Sequence, residues 1–108
     1  MAAITVLLYS FSIPLEVRAQ NVPNVLICIA QKESGVRQFD KNGEPLESPT
    51  HDWGVFQINE GWLPTATKMG LDVKYNEEDN ITFALWLADK YGLSQWATYK
   101  YCKGVDDS

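Results

Sequence analysis

The sequence predicts a small α+β domain, mostly helical with one short β-hairpin. Three features carry this. The run Val25-Leu26-Ile27-Cys28-Ile29-Ala30 is apolar on all sides and reads as a helix buried on every face. Asp40-Lys41-Asn42-Gly43 is a strong hairpin-turn signal between Val36/Phe39 and Leu46. Farther on, Ile81, Ala84, Leu85, Ala88 and Tyr91 recur at helical spacing, as expected of a helix with one apolar face. A length of 108 residues bounds the chain to one domain, near the lower end for a self-sufficient core.

In chain order, residues 1–19 read as a signal peptide. Ala2 to Leu15 is mostly apolar, and Val17-Arg18-Ala19 offers a cleavage site before Gln20, leaving 20–108 as the mature domain. No Lys or Arg precedes the apolar stretch, so a helix or strand packed on the domain is the alternative. Tyr9, Ser10, Ser12, Pro14 and Glu16 interrupt it too often for a membrane span. After the lead-in Gln20-Asn21-Val22-Pro23, Asn24 is the expected cap of a helix running to about Ser34, with Gly35 as its stop. Pro45 and Pro49 keep the hairpin region from growing into a large sheet. A helix is expected from about Glu60 to Met69, ending at Gly70. Asn76 then reads as the cap of the long amphipathic helix, with Glu77, Glu78 and Asp79 suited to the positive end of the helix dipole. Gly92 stops it, and Leu93 to Tyr101 reads as a last short helix.

Composition narrows the function classes. Apolar content of 45%, with four Trp, five Tyr and four Phe, describes a packed globule. A formal charge of −5 without a Lys/Arg cluster argues against nucleic-acid binding. The same charge argues against strong attraction to anionic cell-wall polymers. One His leaves no zinc set and no Ser-His-Asp arrangement. Asp40-x-Asn42-Gly43 has the start of a calcium-loop pattern, but its glycine comes too early and no correctly spaced Glu follows. No cofactor and no metal are expected. Cys28 and Cys102 either pair, closing a long loop, or stay free, with Cys28 buried as a small hydrophobe.

Glu33 is the residue best placed for chemistry. It follows the apolar helix by about one turn, where both low-dielectric surroundings and the negative end of the helix dipole disfavour an ionised carboxyl. A carboxylic acid that keeps its proton is what a general acid needs. A solvated helix-end glutamate is the plainer alternative. Asp52 is the second candidate carboxylate, placed after the hairpin where the chain can return to the helix end, with a turn-capping role as its alternative.

The pattern Glu33-Ser34-Gly35, then a hairpin stretch, then Asp52-Trp53-Gly54-Val55-Phe56-Gln57-Ile58-Asn59 resembles the lysozyme superfamily. Within it, the chain resembles the soluble lytic transglycosylase domain and its lysozyme-like relatives. Asn80-Ile81 and Trp96-Ala97-Thr98-Tyr99 also look like family positions, so the resemblance spans roughly Val22 to Cys102. It implies a lysozyme-like fold and peptidoglycan glycan strands as the partner of an exported monomer. It implies cleavage of the β-1,4 bond between N-acetylmuramic acid and N-acetylglucosamine. Glycoside cleavage of this kind divides proton donation and cation stabilisation between two carboxyls, with lysozyme itself the reference case.

Site roles follow from the resemblance. Glu33 would be the acid/base. Asp52 is the second catalytic group in animal-type lysozymes, whereas many lytic transglycosylases use the Glu alone and form a 1,6-anhydro ring. Gln57 would lie in the sugar cleft, with Asn59 beside it. Ser34 would orient the Glu33 carboxyl or a sugar acetamido group. Tyr99 would contact Glu33 or substrate, although the family's Asn-Ala-Gly after that Tyr is replaced by Lys100-Tyr101-Cys102. Trp53 and Trp62 flank the motif and are the candidate stacking surfaces for sugar faces. In relatives the helix cysteine immediately precedes the Glu, where this chain has Lys32, a departure that weighs against a disulfide between Cys28 and Cys102. The leading expectation is a lytic transglycosylase, because one well-placed Glu suffices for it and Asn80-Ile81 and the negative charge suit it. The alternatives are a hydrolytic lysozyme using Glu33 with Asp52, and a silent saccharide-binding or assembly module. A fragment lacking C-terminal helices is a further possibility, given the short tail Gly104 to Ser108.

Overall fold

A computed structural model of the chain describes residues 21–105; the expected signal peptide at 1–19 lies outside the described residues. Helix α1 spans Asn24–Ser34, and its N-cap is Pro23 rather than Asn24. The Pro23 carbonyl accepts from the amides of Leu26 and Ile27 at 3.0 and 3.1 Å, and the missing proline N–H costs nothing at a helix start. Gly35 ends the helix in the left-handed conformation at φ 67°. Burial falls on Val25, Leu26, Ile29, Ala30 and Ser34, a stripe at helical spacing. Ile27 and Cys28 are only partly buried, so α1 has one core face and is not buried all round as its composition suggested.

The Asp40–Gly43 turn is present. Asp40 Oδ1 accepts from the amides of Asn42 and Glu44 at 2.8 and 3.0 Å, and Gly43 takes φ 82°. Its flanks meet in one isolated bridge, Phe39 to Pro45, made by the Asp40 amide on the Glu44 carbonyl at 2.8 Å and the Leu46 amide on the Gln38 carbonyl at 2.9 Å. The ladder forms later in the chain, between β1 (Asp52–Trp53) and β2 (Ile58–Asn59), antiparallel with Asp52 opposite Asn59 and Trp53 opposite Ile58. The region expected as one Glu60–Met69 helix is a 3-10 turn, Glu60–Trp62, followed by α2, Leu63–Lys68, with Pro64 in its first turn.

Helix α3 spans Glu77–Tyr91, with the Asn76 side chain accepting from the Asp79 amide as its cap. Its buried side is Asn80, Ile81, Phe83, Ala84 and Leu87. The expected stripe was rotated: Leu85 and Ala88 are half-buried and Tyr91 is exposed, because Phe83 and Leu87 take the deeper positions. The last expected helix is two 3-10 turns, Leu93–Gln95 and Ala97–Tyr101, with Trp96 extended between them. The described residues form an α+β domain with three α-helices and one short two-stranded hairpin, with Cys28 bonded to Cys102. That disulfide joins α1 to the final 3-10 turn, where the family's usual cysteine spacing had argued against it.

A buried knot of side chains ties these elements together around Val55 and Phe56. The Val55 amide donates to Gln38 Oε1 at 3.0 Å and its carbonyl accepts from Ser34 Oγ at 2.7 Å. The Phe56 amide donates to Asn80 Oδ1 at 2.9 Å and its carbonyl accepts from Trp96 Nε1 at 2.8 Å. Asn80 Nδ2 reaches the carbonyls of Trp53 and Val73, and Gln38 Nε2 those of Val73 and Lys74. Gly54 sits between the two amides: a Cβ there would lie 2.3 Å from Gln38 Oε1 and 2.5 Å from Asn80 Nδ2. With φ 74° as well, the position accepts only glycine.

Two expectations follow. Asn80→Ala strands the buried Phe56 N–H and removes a donor from the Trp53 carbonyl, while the Val73 carbonyl keeps Gln38, so it should cost about 2–4 kcal/mol. By calorimetry that is a fall in melting temperature of roughly 10 °C or more, whereas Thr82→Ala on the exposed side of α3 stays near wild type. Reducing the disulfide, which spans a sequence separation of 74, should remove about 4 kcal/mol in the chain-entropy picture, read as a lower urea midpoint in dithiothreitol.

Candidate active site

Glu33 lies in the last turn of α1, held there by the Gly35 stop behind it and by Ser34, which locks the helix end to Val55. Its side chain is half-buried. Thr98 Oγ1 donates to Glu33 Oε2 at 2.7 Å, and Oε1 has no hydrogen-bond partner among the described residues. Ser34 does not contact that carboxyl. It is itself buried, with its hydroxyl directed to the Val55 carbonyl and accepting from the Arg37 amide.

Asp52 starts β1, and its environment is different. Oδ2 accepts from Ser48 Oγ at 2.7 Å and makes a short hydrogen bond with Thr50 Oγ1. Oδ1 accepts from Asn59 Nδ2 at 2.8 Å, across the ladder where the two residues are register partners. Burial alone pushes the carboxyl up. The hydrogen bonds from Thr50, Asn59 and Ser48, with the nearby His51, outweigh it and hold Asp52 below the usual carboxylate range. His51 moves the other way: the hydrogen bond its Nδ1 donates to Glu47 Oε2, at 2.7 Å, raises it above its ordinary value.

The remaining sequence-derived residues divide by neighbourhood. Asn59 joins Asp52 directly and also caps the following 3-10 turn by accepting from the Gly61 amide. Gln57 Nε2 donates to the Gly54 carbonyl at 2.9 Å, bracing the loop between the strands. Tyr99 is half-buried against the core, and the hydroxyl on Glu33 comes from its neighbour Thr98. Trp53 points away from Asp52 along the alternating strand and carries Lys74 Nζ 4.2 Å above its ring. Beside it is an open cavity of about 500 Å³ lined by Asp40, Glu44, Pro45, Leu46, Glu47, Trp53 and Tyr75, which contains neither Glu33 nor Asp52. Trp62 is half-buried in an aromatic cluster with Phe83, Trp86 and Tyr91, at centroid distances of 6.0, 6.3 and 5.5 Å.

Thr98, Ser48 and Thr50 were not identified from the sequence as site residues. The signal for Ser48 and Thr50 was the density of hydroxyls before Asp52. For Thr98 it was a β-branched hydroxyl next to Tyr99, inside a phrase already matched to the family.

The chain is similar to three curated lysozymes. It is 33% identical over 95 residues to Lysozyme X of Drosophila melanogaster, covering 74% of this chain and 66% of that protein. It is 34% identical over 91 residues to Lysozyme C of Bufo gargarizans andrewsi, covering 72% and 62%. It is 34% identical over 88 residues to Lysozyme P of Drosophila melanogaster, covering 71% and 62%. The chain thus spans just under two thirds of the length of the relatives it matches. No protein-family profile matches, and no solved structure does.

The lowered Asp52 sets the sign of a pH effect. With its folded value below the unfolded value of about 3.9, its contribution to stability is complete above that value and is lost as pH falls through the folded one. Between pH 6 and pH 2 the wild type should therefore lose more stability, by urea midpoint, than Asp52→Asn.

Proposed function

Because the chain belongs to the lysozyme-like superfamily, we propose that it is a hydrolytic muramidase. In this reading it cleaves the β-1,4 bond between N-acetylmuramic acid and N-acetylglucosamine in peptidoglycan. The observation that carries it is the unequal treatment of two carboxyls. Asp52 accepts hydrogen bonds from Ser48, Thr50 and Asn59 and is held ionised, while Glu33 is contacted on one oxygen only. Such a division of environments is the pattern expected of a stabilising carboxylate paired with a proton donor, and lysozyme is its reference case.

Glu33 gives its proton to the glycosidic oxygen as the bond from that oxygen to the sugar C1 breaks. Positive charge then develops at C1 and the ring oxygen, and the Asp52 carboxylate stabilises it. Water adds its hydroxyl to C1 and returns a proton to Glu33, leaving a reducing end. An anhydro-forming reaction on Glu33 alone gives no work to the three donors arranged on Asp52. The relatives are also named lysozymes, so hydrolysis replaces transglycosylation as the leading reading. The Cys28–Cys102 disulfide suits an oxidising, exported setting, and no helix among the described residues is long and apolar enough to cross a membrane.

Mass spectrometry of fragments released from purified peptidoglycan tests this. Wild type should release reducing-end muropeptides, with the rate reduced roughly 10²–10⁴-fold by Glu33→Gln and about 10²–10³-fold by Asp52→Asn. Products ending in 1,6-anhydro-muramic acid would point instead to a transglycosylase. No release by folded wild-type protein would leave a silent module of the same fold.

A further inference from the structure

We infer that Thr98 is a positioning residue that sets the Glu33 carboxyl for proton transfer, an inference that rests on the hydrolytic reading above. The contact itself is short, 2.7 Å from Thr98 Oγ1 to Glu33 Oε2, and it joins residues 65 positions apart in the chain. It occupies one carboxyl oxygen and leaves Oε1 to face the glycosidic oxygen. Glu33 at the end of a helix has several rotatable bonds, so without a second fixed point its proton would sample a wide arc.

The segment that carries Thr98 is built to stay still. It is the 3-10 turn Ala97–Tyr101, closed by the Tyr99 amide on the Trp96 carbonyl at 3.0 Å and the Cys102 amide on the Tyr99 carbonyl at 2.8 Å. On one side Trp96 is buried, with Nε1 on the Phe56 carbonyl and its ring 5.9 Å from that of Phe56. On the other side Cys102 is fully buried and bonded to Cys28. Cys28 and Glu33 are on the same helix, α1. The disulfide and the Thr98–Glu33 hydrogen bond are therefore two rungs between the same two elements. One is covalent and distant from the chemistry; the other is polar and touches it.

A threonine suits the task better than most hydroxyl carriers. Its β-branch restricts χ1, so Oγ1 has few places to go. Its hydroxyl donates to Oε2 both when the carboxyl is ionised and when it carries its proton on Oε1. The contact can thus persist on both sides of the proton transfer, while Glu33 alternates between acid and base.

Steady-state kinetics on a soluble, uncrosslinked glycan strand of alternating N-acetylglucosamine and N-acetylmuramic acid tests the role. Thr98→Val keeps the branch and loses the hydroxyl; it should lower kcat roughly 10- to 100-fold. KM should stay within about threefold, as expected when only transition-state geometry is lost. Thr98→Ser should recover most of the lost kcat, which a purely packing role would not allow. A Thr98→Val enzyme with wild-type kcat, or a Thr98→Ser enzyme as impaired as Thr98→Val, overturns the inference while a dead Glu33→Gln leaves the hydrolytic reading standing. A wild-type protein without turnover on this strand overturns both.

Discussion

The peptide groups of Val55 and Phe56 are fully buried, yet neither lies on a strand or helix that would pair them. Each of their N–H and C=O groups is satisfied by a side chain, and those side chains come from three parts of the chain: Ser34 and Gln38, Asn80, and Trp96. A buried backbone group without a partner costs about as much as a hydrogen bond is worth, so the loop can sit in the core only if all these donors and acceptors arrive together. That makes the knot cooperative. It also explains why a domain this small can bury a turn at its centre rather than leave it at the surface.

The same knot determines where the candidate chemistry lies. Ser34 follows Glu33 directly, and its bond to Val55 fixes the end of α1 against the strand loop that begins with Asp52. Trp96 holds the start of the segment from which Thr98 reaches Glu33. Sequence resemblance suggested Ser34 and Asn80 as family positions, and their geometry here is architectural. They shape the site from behind, through backbone atoms, while Asp52 is dressed separately by its own hydroxyls and Asn59.

Local chemistry made several elements legible. Gly35 as the stop of α1, Asp40–Gly43 as a turn and Asn76 as the cap of α3 each depend on interactions within a few residues, which the sequence states outright. Elements whose form depends on distant partners were read less well. The β1–β2 ladder is two residues per strand, too short to leave an alternating pattern. The face of α3 was rotated because Phe83 and Leu87 are claimed by neighbours invisible in its own periodicity. The Cys28–Cys102 bond was disfavoured by motif spacing, although the fold brings the cysteines together across 74 positions.

By itself the sequence determined the α+β class, the helix ending at Ser34, the helix capped by Asn76 and the Asp40–Gly43 turn, and it offered Glu33 and Asp52 as the candidate carboxyls. It could do so because caps, turns and the Glu-Ser and Gly-Val-Phe-Gln-Ile-Asn phrases are local codes. Only the tertiary structure decided that Asp52 is held down by three donors while Glu33 meets a single hydroxyl, and that this hydroxyl belongs to Thr98. The physical reason is that a carboxyl's role depends on which dipoles surround it in space. Those dipoles are delivered by packing of segments far apart in the chain.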